Sequence, residues 1–221
     1  MSTTTAEDEV AGRFVGTGAT APVILKRRTI DTVLIGFGAV FTVALLVAGG
    51  LLMWGSSFAS DYVDDELSSQ NIAFPPAAAL EEEGRTDLLE FAGQSVNTGP
   101  EAEGYASFID GHLQGIGGGA TFADLGTPER EATAAVEAAT ADGASTAEIA
   151  ELQATADGIT GQRDSLFRGE TLRGLLLTAF AWSTVGRIAG IAAFVAFAAG
   201  AVMLVLVVLG VRHHHKVVQQ A

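Results

Sequence analysis

The chain has no cysteine among its 221 residues. Disulfides, a thiolate nucleophile and cysteine-ligated zinc or iron–sulfur sites are therefore excluded. Charge is also scarce: Asp, Glu, Lys and Arg make up 17% of the chain, below the roughly 25% of ordinary soluble domains. Basic residues are scarcer still, 12 against 26 carboxylates. A chain without basic stripes is not built to hold nucleic acid. The two longest apolar runs contain no ionisable residue at all, which argues against a pump or proton relay acting through this chain alone. No repeat of fixed period is present.

A mean hydropathy of +0.35 stands beside a pI near 4.5. The two agree if the chain is segregated into apolar spans and an acidic part. Thr32 to Trp54 is one such span, 23 residues without a charge, enough to cross a hydrocarbon core of about 30 Å with some tilt. Val, Leu, Ile and Phe fill twelve of its places, giving roughly −4 to −7 kcal/mol of insertion free energy. The run is longer than the 7–15 apolar residues, roughly, of a signal peptide, and its lead is long, so it reads as a retained anchor. Ile188 to Val211 is a second uncharged run, of 24 residues. Upstream of it Gly174 to Gly186 is also apolar, and Arg187 divides the two. Arg187 in lipid would cost about 2.5–3.5 kcal/mol. It is therefore expected at the outer interface, with Trp54 and Trp182 as aromatic anchors beside it. Leu172, Leu175, Leu176, Ala179 and Phe180 follow helical spacing, so 174–187 either lies on the membrane or packs against the outer domain.

Orientation follows from the flanks. Lys26, Arg27 and Arg28 precede the first span, and Arg212 and Lys216 follow the second. The stretch between them, Gly55 to Phe180, holds five arginines against 22 carboxylates. The excess of cations flanking the termini predicts both termini in the cytoplasm and the loop outside. The expected architecture is an all-α membrane protein with two transmembrane helices flanking an extracytoplasmic helical domain. Its parts are a cytoplasmic tail (1–28), a first transmembrane helix (29–54), an acidic outer domain (55–173), an apolar interfacial helix (174–187), a second transmembrane helix (188–211) and a cytoplasmic tail (212–221).

Within the outer domain, Ser60 is expected to cap a short helix with Tyr62, Val63 and Leu67 inward. Pro75-Pro76 ends it. A second helical stretch runs from Ala77 to Phe91, interrupted near Gly84. Pro100 opens a third, with Tyr105, Phe108, Ile109, His112 and Ile116 on its apolar face. Gly117-Gly118-Gly119 stops it. Thr127-Pro128 marks another start, and Ser145 to Glu148 is a capping box. Ile149, Leu152, Ala156, Ile159, Arg163 and Leu166 then recur at alternating intervals of three and four. The Ala/Thr-rich stretch 131–158 suits a helical hairpin or a partly mobile insertion.

Few residues suggest chemistry. His112 sits on an apolar face and reads as a core residue. No other histidine lies between the spans, so two histidines and a carboxylate cannot gather there for iron. Three adjacent histidines, His213 to His215, diverge by about 100° each on a helix and read as a weakly titrating basic anchor. Gly117 to Gly119 lacks the Lys-Ser/Thr of a phosphate loop, and Glu81 to Glu83 lacks the alternation of a calcium loop. No catalytic, metal or cofactor site is assigned. The candidate site residues concern packing: Ala192, Ala196 and Gly200 recur every fourth position, and Gly186 and Gly190 precede them. Such rows let helices approach closely in lipid.

Several pieces carry a family resemblance: Gln70-x-Ile72-x-Phe74-Pro75, Ala92-Gly93-x-x-Val96, Tyr105-Ala106-x-Phe108-Ile109-x-x-His112-Leu113, Thr121-Phe122-Ala123, and Leu166 through Leu177 into Ala179-Phe180-Ala181-Trp182. Over residues 30–212 the chain resembles a group of actinobacterial two-span membrane proteins, some labelled aromatic ring-opening dioxygenase. The resemblance implies a plasma-membrane location and no particular chemistry. The expected function is that of a non-enzymatic integral membrane protein, a scaffold or accessory subunit of an envelope or respiratory assembly. Its expected partners are the lipid bilayer and other membrane subunits or copies of itself. The alternatives are a homo-oligomeric channel or sensor and, after these, the dioxygenase.

Overall fold

The computed structural model describes the backbone of residues 27–219 and the side chains of residues 29–215. Lys26, the side chains of Arg27, Arg28 and Lys216, and the expected N-terminal tail before residue 27 lie outside the described residues. Five α-helices account for most of the described chain: α1 (Arg27–Ser68), α2 (Ala77–Glu82), α3 (Gly99–Gly117), α4 (Gly126–Ala141) and α5 (Thr146–Gln219). A 3₁₀ turn, Thr86–Phe91, sits between α2 and α3. Among the described residues there is no strand, only one isolated antiparallel bridge between Ala73 and Ser95. α1 and α5 each contain a stretch long and apolar enough to cross a membrane.

The chain divides into two compact units, residues 43–200 and residues 27–42 with 201–219. In the first unit, α1 and α5 pack through a repeat of alternating three- and four-residue steps. On α1 the covered positions are Leu45, Gly49, Leu52, Ser56, Ala59, Val63 and Leu67. That 3.5-residue period is the signature of left-handed helix pairing. α5 answers with Gly186, Gly190, Ala193, Phe197 and Gly200. A Cβ on Gly186 would come within 2.9 Å of Ala59 Cβ, and one on Gly190 within 2.8 Å of Ser56 Oγ. In the second unit the same period continues as Asp31, Ile35, Gly38 and Thr42 on α1 and Met203, Val207, Gly210 and His214 on α5. Thr42 is 4% exposed and donates its hydroxyl hydrogen to the Gly38 carbonyl at 2.7 Å, which removes the desolvation penalty of a buried hydroxyl.

The helical domain within 43–200 has its own core. Val63 and Leu67 from α1 meet Phe74, Leu80, Leu88, Val96, Phe108 and Leu176. Phe74 stacks on Phe91 at 5.2 Å and meets Tyr105 edge-on at 5.3 Å. Gly104 makes room for this, because a Cβ there would lie 3.0 Å from the Phe91 ring. The bridge strands are tied by the Phe74 N–H to Gln94 O and the Val96 N–H to Ile72 O, both 2.9 Å. α3 starts with a reciprocal capping box between Thr98 and Glu101 and ends at Gly118, whose φ of 58° suits glycine. Between α4 and α5, Gly143 turns the chain with a φ of 71°, so 131–158 is a helical hairpin.

Several expectations need correction. Ser60 caps nothing: α1 runs through it to Ser68, and its hydroxyl bonds back to Ser56 O at 3.1 Å. No Pro or Gly interrupts residues 56–68, so the helix has no reason to stop. Tyr62 is not inward but 52% exposed. α4 begins one residue before Thr127, with Leu125 at the N-cap position and no side-chain cap bond, and Thr127 instead accepts a hydrogen bond from Arg130 at 2.9 Å. The segment 174–187 is no separate helix; it is an uninterrupted part of α5. It packs against the helical domain through Leu176, 2% exposed, while Leu175 is 64% exposed.

The start of α3 abuts α5 so closely that a Cβ on Gly99 would overlap the Ser183 side chain. Gly99→Ala should therefore lower the stability of the full chain by about 1–3 kcal/mol, the usual range for overpacking. Adding Ser183→Gly should restore part of it. Thermal unfolding of the single and double variants in detergent checks the pair; equal losses in both would sever the link between these two positions.

Candidate functional site

The described residues present three places where polar groups and open space meet. The first is a groove of about 320 Å³ between α1 and α5, inside the 43–200 unit. Its floor is Val63, Leu67 and Leu176; its walls are Tyr62, Leu175 and Trp182. Glu66 and Gln70 add polar groups. The α1 side has a simple origin. Trp54, Phe58, Tyr62 and Glu66 are spaced by four on α1, so each lies beside the next on the helix surface, and Gln70 follows in the turn after Ser68. The rings stack in series, Trp54 on Phe58 at 5.8 Å and Phe58 on Tyr62 at 6.2 Å. All three are more than half exposed. The row thus runs from wholly apolar to charged within four side chains.

The second place surrounds Arg85, which no spacing argument singled out. Its guanidinium donates to both Asp87 carboxylate oxygens, at 3.0 and 2.8 Å, and to the Ser107 carbonyl and hydroxyl at 2.8 Å each. One side chain thereby ties the 3₁₀ turn to α3. The hydrogen bond and charge of Arg85 hold the Asp87 carboxyl below its ordinary 3.8, and the Asp87 carboxylate in turn raises Arg85. Nearby, Arg173 on α5 reaches Asp110 on α3 at 3.5 Å. An open hollow beside Arg85 is lined by Glu83, Phe108 and His112. His112 is not a core residue, since its side chain is 52% exposed. Its Nδ1 lies 3.2 Å from Phe108 O, and its Nε2 lies 3.6 Å from a Glu83 oxygen. Leu113, one position on, takes the buried place at 6% exposed.

The third place is a cleft of about 280 Å³ in the 27–42 and 201–219 unit. Asp31, His213 and His214 line it together with Leu34, Ile35 and Met203. Asp31 falls just before the uncharged run, so a search for charges inside the spans passes over it. Its place at the head of the series Asp31, Ile35, Gly38, Thr42 was the available signal. Among the described residues, no three His, Asp or Glu side chains converge to hold a metal ion.

Elsewhere two local devices fix loops. Arg163 lies 4.1 Å over the Phe122 ring and pairs with Glu129, tying α5 to α4. Thr121 donates its N–H and hydroxyl to Asp124 at 2.9 and 2.7 Å, and these bonds, the N–H first, lower the Asp124 carboxyl.

The expected packing row is partly regrouped. Gly186, Ala193 and Gly200 are buried; Gly190, Ala192 and Ala196 are half-buried. The most enclosed line therefore steps by three and four through Ala193 rather than by four through Ala192 and Ala196. Phe197 faces α1, its ring 3.0 Å from where a Cβ on Gly49 would be, while Phe194 is 72% exposed. Arg187 is exposed. Because Gly190 meets Ser56, Trp54 is level with about Ala192. Trp182 therefore lies ten residues away along α5, about 15 Å at 1.5 Å per residue. The two indoles do not share one level of the helix pair.

No protein-family profile, curated protein or solved structure matches this chain.

Two outcomes follow. Gly186→Val should destabilise the detergent-purified chain by about 1–3 kcal/mol, and Ala192→Val by clearly less; equal melting temperatures would remove the 3.5-residue row. The lowered carboxyl of Asp87 gives stability that is fully present above the unfolded value of 3.8 and is lost as pH falls through the folded value below it. In a circular-dichroism acid titration, Asp87→Asn should flatten that low-pH loss and leave the profile above about pH 5 unchanged in shape.

Proposed function

We propose that this chain is a non-enzymatic integral membrane protein, with two spans, both termini in the cytoplasm and an acidic helical domain outside, acting as a scaffold or accessory subunit of an envelope or respiratory assembly in the plasma membrane. One observation carries the membrane part. The apolar windows of α1 and α5 have mean hydropathies of 2.3 and 2.8, and only 11% of each window is buried. A soluble core helix would be mostly covered. Large residues such as Phe37 at 75%, Val40 at 72% and Phe194 at 72% exposed need lipid or protein around them.

The orientation rests on charge. Five arginines against 22 carboxylates between the spans, and cations before and after them, favour the loop outside. The accessory role rests on what the domain offers. It has a compact core, ion-paired ties between its helices and exposed rings at Trp54, Phe58, Tyr62 and Trp182.

Alkaline carbonate should leave the chain in the membrane pellet. Reporter fusions at residue 125 should report an outside location, and fusions at residue 221 a cytoplasmic one. Release into the carbonate supernatant would end the membrane reading, and an outside signal at Ala221 would invert the topology.

A further inference from the structure

We propose that the groove between Tyr62 and Trp182 is a lipid site: it takes one apolar chain of a membrane lipid whose head carries an ammonium group. The inference rests on the membrane reading for the source of the ligand, but its geometry stands within the 43–200 unit alone. Four observations carry it.

The volume, about 320 Å³, lies at the lower end of the roughly 300–1,000 Å³ of small-molecule clefts. It suits a chain segment and greatly exceeds what an ion or a water needs. The lining is apolar on floor and both walls, through Leu67, Leu176, Leu175 and Trp182, so a hydrocarbon chain gains burial there without stranding a polar group.

The groove also continues a surface. Along α1, exposed Trp54 and Phe58 precede Tyr62 at the same four-residue spacing. Trp54 belongs to the apolar stretch that begins at Thr32, so a chain leaving hydrocarbon meets an unbroken line of rings up to the groove. The next member of that row, Glu66, is polar and exposed, and exposed Gln70 follows in the turn after α1. An amphiphile placed along the stripe has its chain on rings and its head at Glu66.

Charge then selects the head. The Glu66 carboxylate accepts hydrogen bonds and carries negative charge. The surrounding sequence, 55–180, has 22 carboxylates and five arginines. Of those arginines, Arg85, Arg163, Arg168 and Arg173 are paired with carboxylates. A phosphate or carboxylate head would meet repulsion, whereas an ammonium head meets an acceptor of opposite sign.

The test uses the full chain in a neutral detergent, with Trp54→Phe so that Trp182 is the only indole. Brominated stearylamine, brominated stearyl alcohol and brominated stearate are titrated in turn, and bromine contact is read as loss of Trp182 fluorescence. We expect saturable quenching by the amine, with an affinity about three- to fivefold above that of the carboxylate, the scale of one exposed ion pair. Glu66→Gln should erase that preference. Thr178→Phe, at an exposed groove position, should remove the saturable phase while circular dichroism stays unchanged. Quenching that never saturates, that survives Thr178→Phe, or that is as strong with stearate would overturn the proposal. Quenching that appears only after a detergent-stable dimer is dissociated would assign the groove to a second copy and overturn it too. Because the assay runs in micelles, its outcome is independent of carbonate extraction.

Discussion

The close approach of α1 and α5 is the constraint on which the 43–200 unit depends. It is made possible by missing side chains. Gly49 admits the Phe197 ring, Gly186 admits Ala59, Gly190 admits Ser56 and Gly200 admits Leu46. Each glycine inside a helix costs about 0.5–1 kcal/mol relative to alanine. In exchange the backbones come near enough for dispersion contacts along the whole seam. Such contacts also hold where the hydrophobic effect is absent, as between helices in hydrocarbon. The same seam, extended past Ser56, delivers Val63 and Leu67 into the domain core, where Leu176 of α5 meets them. An apolar pair of helices and a folded acidic domain thus share two continuous elements.

Ion pairs and caps do the rest of the positioning. Arg85 joins the 3₁₀ turn to α3, Arg173 joins α5 to α3, and Arg163 joins α5 to α4. None of these is fully buried, so each is a modest contributor to stability taken singly. Their value is geometric. They add directional ties to helices that α3 also meets through its buried face, at Ala102, Ala106 and Phe108. Arg85 is the most fully engaged of them, because its guanidinium makes four hydrogen bonds, to a carboxylate, a backbone carbonyl and a hydroxyl at once.

The groove shows how a helix can grade its own surface. A four-residue step turns only about 40° past a full turn, so neighbours stay in contact, and placing Glu66 after Trp54, Phe58 and Tyr62 converts an apolar surface to a polar one within a few turns. The acidic composition of the domain sets the sign of what can rest at the polar end. The ring series and the carboxylate are local features of α1, but the groove itself needs α5 as its second wall.

Much of this was legible in the sequence. Two uncharged runs, long against a bilayer, needed only counting. The breaks near Gly84 and at Gly117 to Gly119 and the three-four spacing from Ile149 to Leu166 follow from local backbone and side-chain preferences, which depend on near neighbours. Other features depended on residues far away in the chain. Whether Ala192 or Ala193 faces α1 turns on a period of four against three and a half, and the partner helix selects between them. His112 and Leu113 are adjacent, and the approach of α5 at Gly169 decides that Leu113 goes inside. The offset of Trp54 and Trp182 likewise follows from register: Gly190 set against Ser56 fixes it, and no single segment contains both. Local propensity and composition therefore determined the helices and their apolar spans, while register, facing and the groove were decided by tertiary contact, because each is a relation between two surfaces distant in sequence.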